Sequence, residues 1–149
     1  MSDLPEKVID LTHLATYTNK IGELSSISKM MAAVYLRDFI VGQDIATTLL
    51  AKAIQADAKA KAKLEYVQSI AYLENAKPYL ESKSIKDTSE ARKQYVDIDP
   101  DVVSAKDSKA NTEAFVVLLK GKLSELRQAH DDLKKITYAD NNMTDYEGM

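Results

Sequence analysis

The chain has 149 residues, 45% of them hydrophobic and 29% charged, which is too apolar for a disordered chain and long enough to bury a core as one domain. It contains no cysteine, which excludes a disulfide framework, a thiolate zinc site and a cysteine nucleophile. A net charge of −3 argues against general nucleic-acid affinity, so any such binding has to be local.

Only 4 Gly and 3 Pro interrupt the chain, and this scarcity of turn residues predicts few, long helices. The expected architecture is all-α, with two long helices plus shorter ones packed as a bundle or coiled coil. One helical domain is predicted over residues 1–137, followed by a polar tail, 138–149. The opening MSDLPEKVID carries acids where a secretion signal needs a basic and then an apolar stretch. No apolar run approaches the ~18 residues of a membrane span. A cytoplasmic location without a membrane is expected.

In chain order, Asp3-Leu4-Pro5-Glu6 reads as a helix start, with Asp as N-cap and Glu at the capping-box position. Leu4, Val8, Leu11 and Ala15 carry that helix to about residue 20, where Asn19 to Gly22 breaks it. Ser25-Ser26-Ile27-Ser28 opens a second helix whose broad apolar face includes Ile27, Met30, Met31, Val34, Leu36, Phe39, Ile40 and Val41. Gly42 is expected to end it, which completes the N-terminal helices, 1–42. Asp44 then caps a central helix over 45–77.

That central helix is alanine-rich and free of Gly and Pro up to Pro78. Ile45, Leu49, Ala53, Ala56, Ala60, Leu64, Val67 and Ala71 form its packing seam, with small residues allowing close backbone approach. The residue before a proline is pushed out of the helical region, so an end near Lys77 is expected. The segment Pro78 to Lys86 is read as a connector. Asp87-Thr88-Ser89-Glu90 starts a short helix to about Val96, and Asp99-Pro100-Asp101 starts the long C-terminal helix, 100–136. On that helix Val102, Ala105, Val116, Leu119, Leu123, Leu126 and Leu133 share one heptad frame, which Lys109, Thr112 and His130 interrupt. Val116, Leu119, Leu123, Leu126 and Leu133 are the residues assigned to bundle or subunit packing.

The candidate site lies on the central helix. Residues 45–86 carry 7 Lys against 4 acids, the only clear positive surplus in the sequence. Lys52, Lys59 and Lys63 fall within about 40° of one another on a helix surface, flanked by Tyr66, while Lys61 points to the opposite side. Ammonium groups in a row with an adjacent aromatic suit a phosphate backbone and a stacked base, the pattern of sequence-independent single-strand binding. A solvated face of an Ala/Lys helix accounts for the same spacing. Tyr72, Tyr79 and Tyr95 are further stacking candidates, although tyrosines at helix ends are more often half-buried packing residues with a wet hydroxyl.

Asp97, Asp99 and Asp101 imitate the start of a calcium loop, but Val102 stands where glycine is required and Ser108 where a bidentate Glu is required. No metal or cofactor is expected there. The two histidines, His13 and His130, lack a carboxylate at ligand spacing, and no phosphate loop, nucleophile elbow or HExxH occurs. The sequence therefore offers no catalytic constellation.

KAKLEYVQS (61–69) and SEARKQYVDIDPDVVSAK (89–106), followed by a long helix with Leu118-Leu119, Leu123 and Leu126, resemble the UvsY-like recombination mediator proteins of tailed phages. The similarity covers roughly residues 55–136, and the family's basic pair falls on Lys61 and Lys63. It implies a small helical protein that forms a ring-like homo-oligomer and binds single-stranded DNA. It further implies partners, a recombinase that is loaded onto DNA coated by a single-strand-binding protein. The alternative is a helical structural or adaptor protein, phage-encoded, that binds another protein and no nucleic acid.

Overall fold

A computed structural model describes the backbone of residues 9–147 and the side chains of 9–137 other than 25 and 29. The expected cap at Asp3 lies outside the described residues. Helix α1 covers Thr12–Thr18 and tightens into a 3₁₀ segment, Asn19–Ser26. Helix α2 covers Lys29–Ile70, α3 Ala76–Ser82, α4 Ser89–Ile98 and α5 Pro100–Glu147. Between α2 and α3 the chain makes one π-helical turn, Ala71–Asn75. Among the described residues there is no strand, so the all-α expectation holds.

Three expected boundaries are corrected. Gly42 does not end a helix, and Asp44 does not cap one; α2 runs through both for 42 residues. The reason is packing, because a Cβ on Gly42 would sit 2.9 Å from Tyr17 Cβ and 3.2 Å from a Leu126 methyl. Glycine is there to let three helices approach, and that contact offsets its low helix propensity.

Pro78 does not end the helical path either. A proline ring clashes with the carbonyl four residues earlier, here that of Glu74, and lacks an N–H to donate. Glu74 lies in the π-turn, whose wider i→i+5 pattern frees room and carbonyls. The helix stops instead at Ser84, whose φ of 56° is left-handed. Ile85 N–H donates to Leu80 O at 2.9 Å and Ser84 N–H to Glu81 O at 3.1 Å, the paired bonds of a Schellman ending.

The third correction is at the C-terminus. Helix α5 continues past Ile136, where it is expected to end, to Glu147, over most of the segment read as a polar tail.

The chain divides into two compact units. One contains α1, the 3₁₀ segment, α2 up to Ala51 and α5 from Val117. Its core is Leu14, Ala32, Tyr35, Phe39, Ala46, Leu119, Leu123, Leu126, Ala129 and Leu133. Its rim is pinned by Lys20, which pairs with Asp38 at 2.5 Å and lies 5.4 Å from the Tyr35 ring centre, and by a Tyr35–Glu23 hydrogen bond. The broad apolar face expected around Met31 is turned outward. Phe39 is buried, but Met30, Met31, Val34 and Ile40 are exposed, because Ala32, Tyr35, Phe39, Gly42 and Ala46 form the packed line.

The other unit, Lys52–Val116, has an alanine-lined core of Ala53, Ala60, Ala71, Ala76 and Ala105, closed by Leu80 and Val102. Ala71 and Ala76 are both fully buried although they are five residues apart. A regular α-helix would turn them to different faces; the π-turn keeps them on one.

Candidate nucleic-acid interface

Lys52, Lys59, Lys61, Lys63 and Tyr66 all lie on α2 within the Lys52–Val116 unit, and all five are exposed, Tyr66 to 66%. The buried line of Ala53 and Ala60 runs between them. By helical phase, Lys52, Lys59 and Lys63 flank that line on one side and Lys61 on the other. From Ile45 to Leu64 the only acid is Asp57. It is turned toward α5, where its Oδ1 accepts from Lys109 Nζ at 2.9 Å and from Thr112 Oγ1 at 2.8 Å. The hydrogen bond from Lys109, then that from Thr112, hold its carboxyl below the usual carboxylate range. Asp57 is thus committed within the unit, and Lys52, Lys59 and Lys61 make no ion pair among the described residues.

Lys109 and Thr112, which interrupt the apolar heptads, are the two partners of Asp57 and so form a polar tie between α2 and α5. Sequence reasoning missed Asp57, because its partners lie 52 and 55 residues away.

Of the tyrosines, Tyr66 alone among Tyr66, Tyr72, Tyr79 and Tyr95 is exposed. Tyr79 and Tyr95 are half-buried and face each other, ring centres 4.8 Å apart. Tyr72 donates to Ser89 Oγ at 3.1 Å, and its ring centre lies 5.7 Å from the Arg92 guanidinium. Arg92 also donates to the Tyr72 carbonyl at 3.1 Å and grips Asp87 with two bonds of 2.6 and 2.7 Å. One carbonyl of the π-turn is thereby satisfied by a side chain of α4, whose own start is capped by Thr88 Oγ1 accepting from Ala91 N–H at 3.1 Å.

Asp99 is 2% exposed and caps α5. Its Oδ1 accepts from Asp101 N–H at 2.9 Å and Val102 N–H at 3.2 Å. Its Oδ2 accepts from Tyr95 Oη at 2.8 Å and Asn75 Nδ2 at 3.4 Å. Burial alone would raise its pKa, but the bonds from Tyr95, Val102, Asn75 and Asp101 outweigh it and hold it below the ordinary value. Asp97 turns instead to Lys106 at 3.2 Å. The acidic triplet is a helix start, as its sequence predicts.

Leu119, Leu123, Leu126 and Leu133 are buried within the single chain and Val116 is half-buried, so these residues pack the bundle itself. Among the described residues α5 leaves Val103, Val117, Leu118 and Ile136 exposed, Val117 to 65%.

Beyond Tyr66, α2, the π-turn and α4 enclose an open groove of about 570 Å³. Glu65, Gln68, Tyr72 and Leu73 line one wall, Lys93 and Val96 the other. Among the described residues no helix is long and apolar enough to cross a membrane. Comparison with family models, with curated proteins and with solved structures finds no match to this chain.

Proposed function

We propose that the protein is a homo-oligomeric single-stranded DNA-binding recombination mediator that assists loading of a recombinase. The observation that carries the reading is the state of the lysines on α2. Lys52, Lys59 and Lys61 are exposed and make no ion pair among the described residues, while Asp57, whose carboxylate also feels the charge of Lys61, is bonded to Lys109 and Thr112. Cations so arranged are available for phosphates, and Tyr66 offers an exposed ring for a base. A few lysines per chain give weak binding, and repetition around an assembly multiplies it. The mediator role and the recombinase and single-strand-binding partners rest on the UvsY-like resemblance of residues 61–69 and 89–106.

The test is a titration of fluorescein-labelled oligo-dT at roughly 50 and 200 mM salt, with oligomeric mass measured in parallel by light scattering. Salt-sensitive binding is expected, with the logarithmic salt slope falling by about 0.7 for each lysine removed in Lys52→Ala and Lys59→Ala. Absence of binding at both salt concentrations, or a monomeric mass, overturns the reading.

A second reading, a helical adaptor that docks another protein, is favoured by a different observation. Met30, Met31 and Val34 are exposed at the start of α2, Met30 to 85%. Exposed clustered apolar side chains of this kind are characteristic of protein-binding surfaces.

A further inference from the structure

The groove beside Tyr66 combines features that the lysine row lacks. One wall carries an apolar side chain, Leu73, and an aromatic ring, Tyr72, beside its polar groups. That ring is held in place, with its hydroxyl on Ser89 and the Arg92 guanidinium 5.7 Å from its centre. The polar groups on its walls are uncommitted: the side chains of Glu65, Gln68 and Lys93 make no hydrogen bond or ion pair among the described residues. Ser69, also on the lining, donates its hydroxyl proton to Glu65 O at 3.0 Å, which leaves its oxygen as an acceptor. The groove is therefore rich in acceptors near Glu65, with one cation, Lys93, across from it.

We propose that this groove receives one unpaired base of the bound strand and that Glu65 makes it favour bases with an exocyclic amino group over thymine. The inference rests on the single-strand reading above, because by helical phase Glu65 and Gln68 follow Lys61, and Ser69 and Leu73 follow Tyr66, along α2. A base laid against Tyr72 and Leu73 buries its face, and Lys93 meets the adjacent phosphate. The carboxylate of Glu65 accepts from the N4 amino group of cytosine, and Gln68 donates to the neighbouring ring acceptors. Thymine presents O4 at the same edge, an acceptor facing an acceptor, and is disfavoured.

The experiment compares labelled oligo-dC and oligo-dT of equal length at about pH 7.5 and low salt, in the wild type, Glu65→Gln and Lys93→Ala. Glu65 is exposed and its side chain is unbonded, so the substitution leaves the fold intact, which circular dichroism verifies. The wild type is expected to bind oligo-dC about five-fold tighter, within the range of one good base contact. In Glu65→Gln the ratio falls to about one, since an amide serves either edge. In Lys93→Ala both affinities drop by the same factor, about two- to three-fold, with a shallower salt slope. Equal affinity for the two oligomers in the wild type overturns the groove inference and leaves the lysine-row reading standing. An unchanged ratio in Glu65→Gln overturns it as well. If neither oligomer binds, the single-strand reading fails and the groove inference with it.

Discussion

Asp57 and Lys109, 52 residues apart in the chain, meet at 2.9 Å between α2 and α5. The pair supplies a polar tie in a seam lined by alanines, and Thr112 completes it at 2.8 Å. The same tie turns Asp57, the only acid between Ile45 and Leu64, toward α5, so it bears on both register and charge. Asp57→Ala should lower the melting temperature by a few degrees, and Lys109→Ala likewise. The double variant should lose less than the two singles together, because each single strands the other's partner.

The pair also sets a pH signature. The Asp57 carboxyl is held down by Lys109 first and Thr112 second, so its contribution is complete above the unfolded value near 4 and is lost as pH falls through the folded value below it. Lys109 is raised, chiefly by its bond to Asp57, so its contribution persists below the ordinary lysine value and disappears as pH rises through the folded one. Thermal melts should therefore show the gap between wild type and Asp57→Ala narrowing at about pH 3. A gap that stays constant down to that pH would contradict the assignment.

Two glycines in long helices should respond oppositely to alanine. At Gly42 the new methyl meets Tyr17 and Leu126 at 2.9 and 3.2 Å, so overpacking of about 1–3 kcal/mol exceeds the gain in helix propensity of about 1 kcal/mol. At Gly121 nothing lies within 4 Å of the added Cβ. Gly121→Ala should stabilise by about 0.5–1 kcal/mol, and Gly42→Ala should destabilise. Chemical denaturation of both variants checks the pair, and equal shifts of the same sign would contradict the packing argument.

Asp99 and Tyr95 form a coupled cap. Asp99→Ala removes the α5 cap and strands the Tyr95 hydroxyl, for a loss of about 2 kcal/mol; Asp99→Asn keeps an acceptor and should lose about half as much. Burial, followed by the bond to Asp99, pushes Tyr95 up to about 12. Its contribution to stability is complete below the unfolded value near 10 and is lost as pH rises from there toward 12. Tyr35 is raised too, chiefly by its bond to Glu23, so absorbance titration of tyrosinate should show one fewer late-ionising tyrosine in Asp99→Ala than in the wild type.

Ser84 holds a left-handed φ of 56° without being glycine. Ser84→Gly should stabilise by about 0.5–1 kcal/mol by relieving that conformation, and a loss of stability would mean that the serine side chain contributes there.

The heptads of α5 were legible because leucines at a and d positions repeat over several turns, and six of the seven positions named are buried. The lysine face of α2 was legible for a similar reason, since long alanine-rich runs fix helical phase. The errors arose where one residue type serves two purposes. Gly42 and Pro78 are ordinarily chain breaks, yet one is a contact point and the other is tolerated by a π-turn, and neither circumstance has a local signature. Met30, Met31 and Val34 read as core by hydropathy, whereas small Ala32 and Gly42 took the inner face because close helix approach favours small volume. The groove at Glu65 and Lys93 joins residues of two helices through a turn that the sequence does not announce.

The five-residue turn at Ala71–Asn75 makes the chain one residue longer than a straight helix of the same rise needs. Removing a single residue there would give a more regular hydrogen-bond ladder and a worse molecule. Everything downstream would rotate by about 100°, carrying Leu80 away from the core and setting the Pro78 ring against a carbonyl with no room to yield. The irregularity is thus a phase correction, and the burial of both Ala71 and Ala76 depends on it.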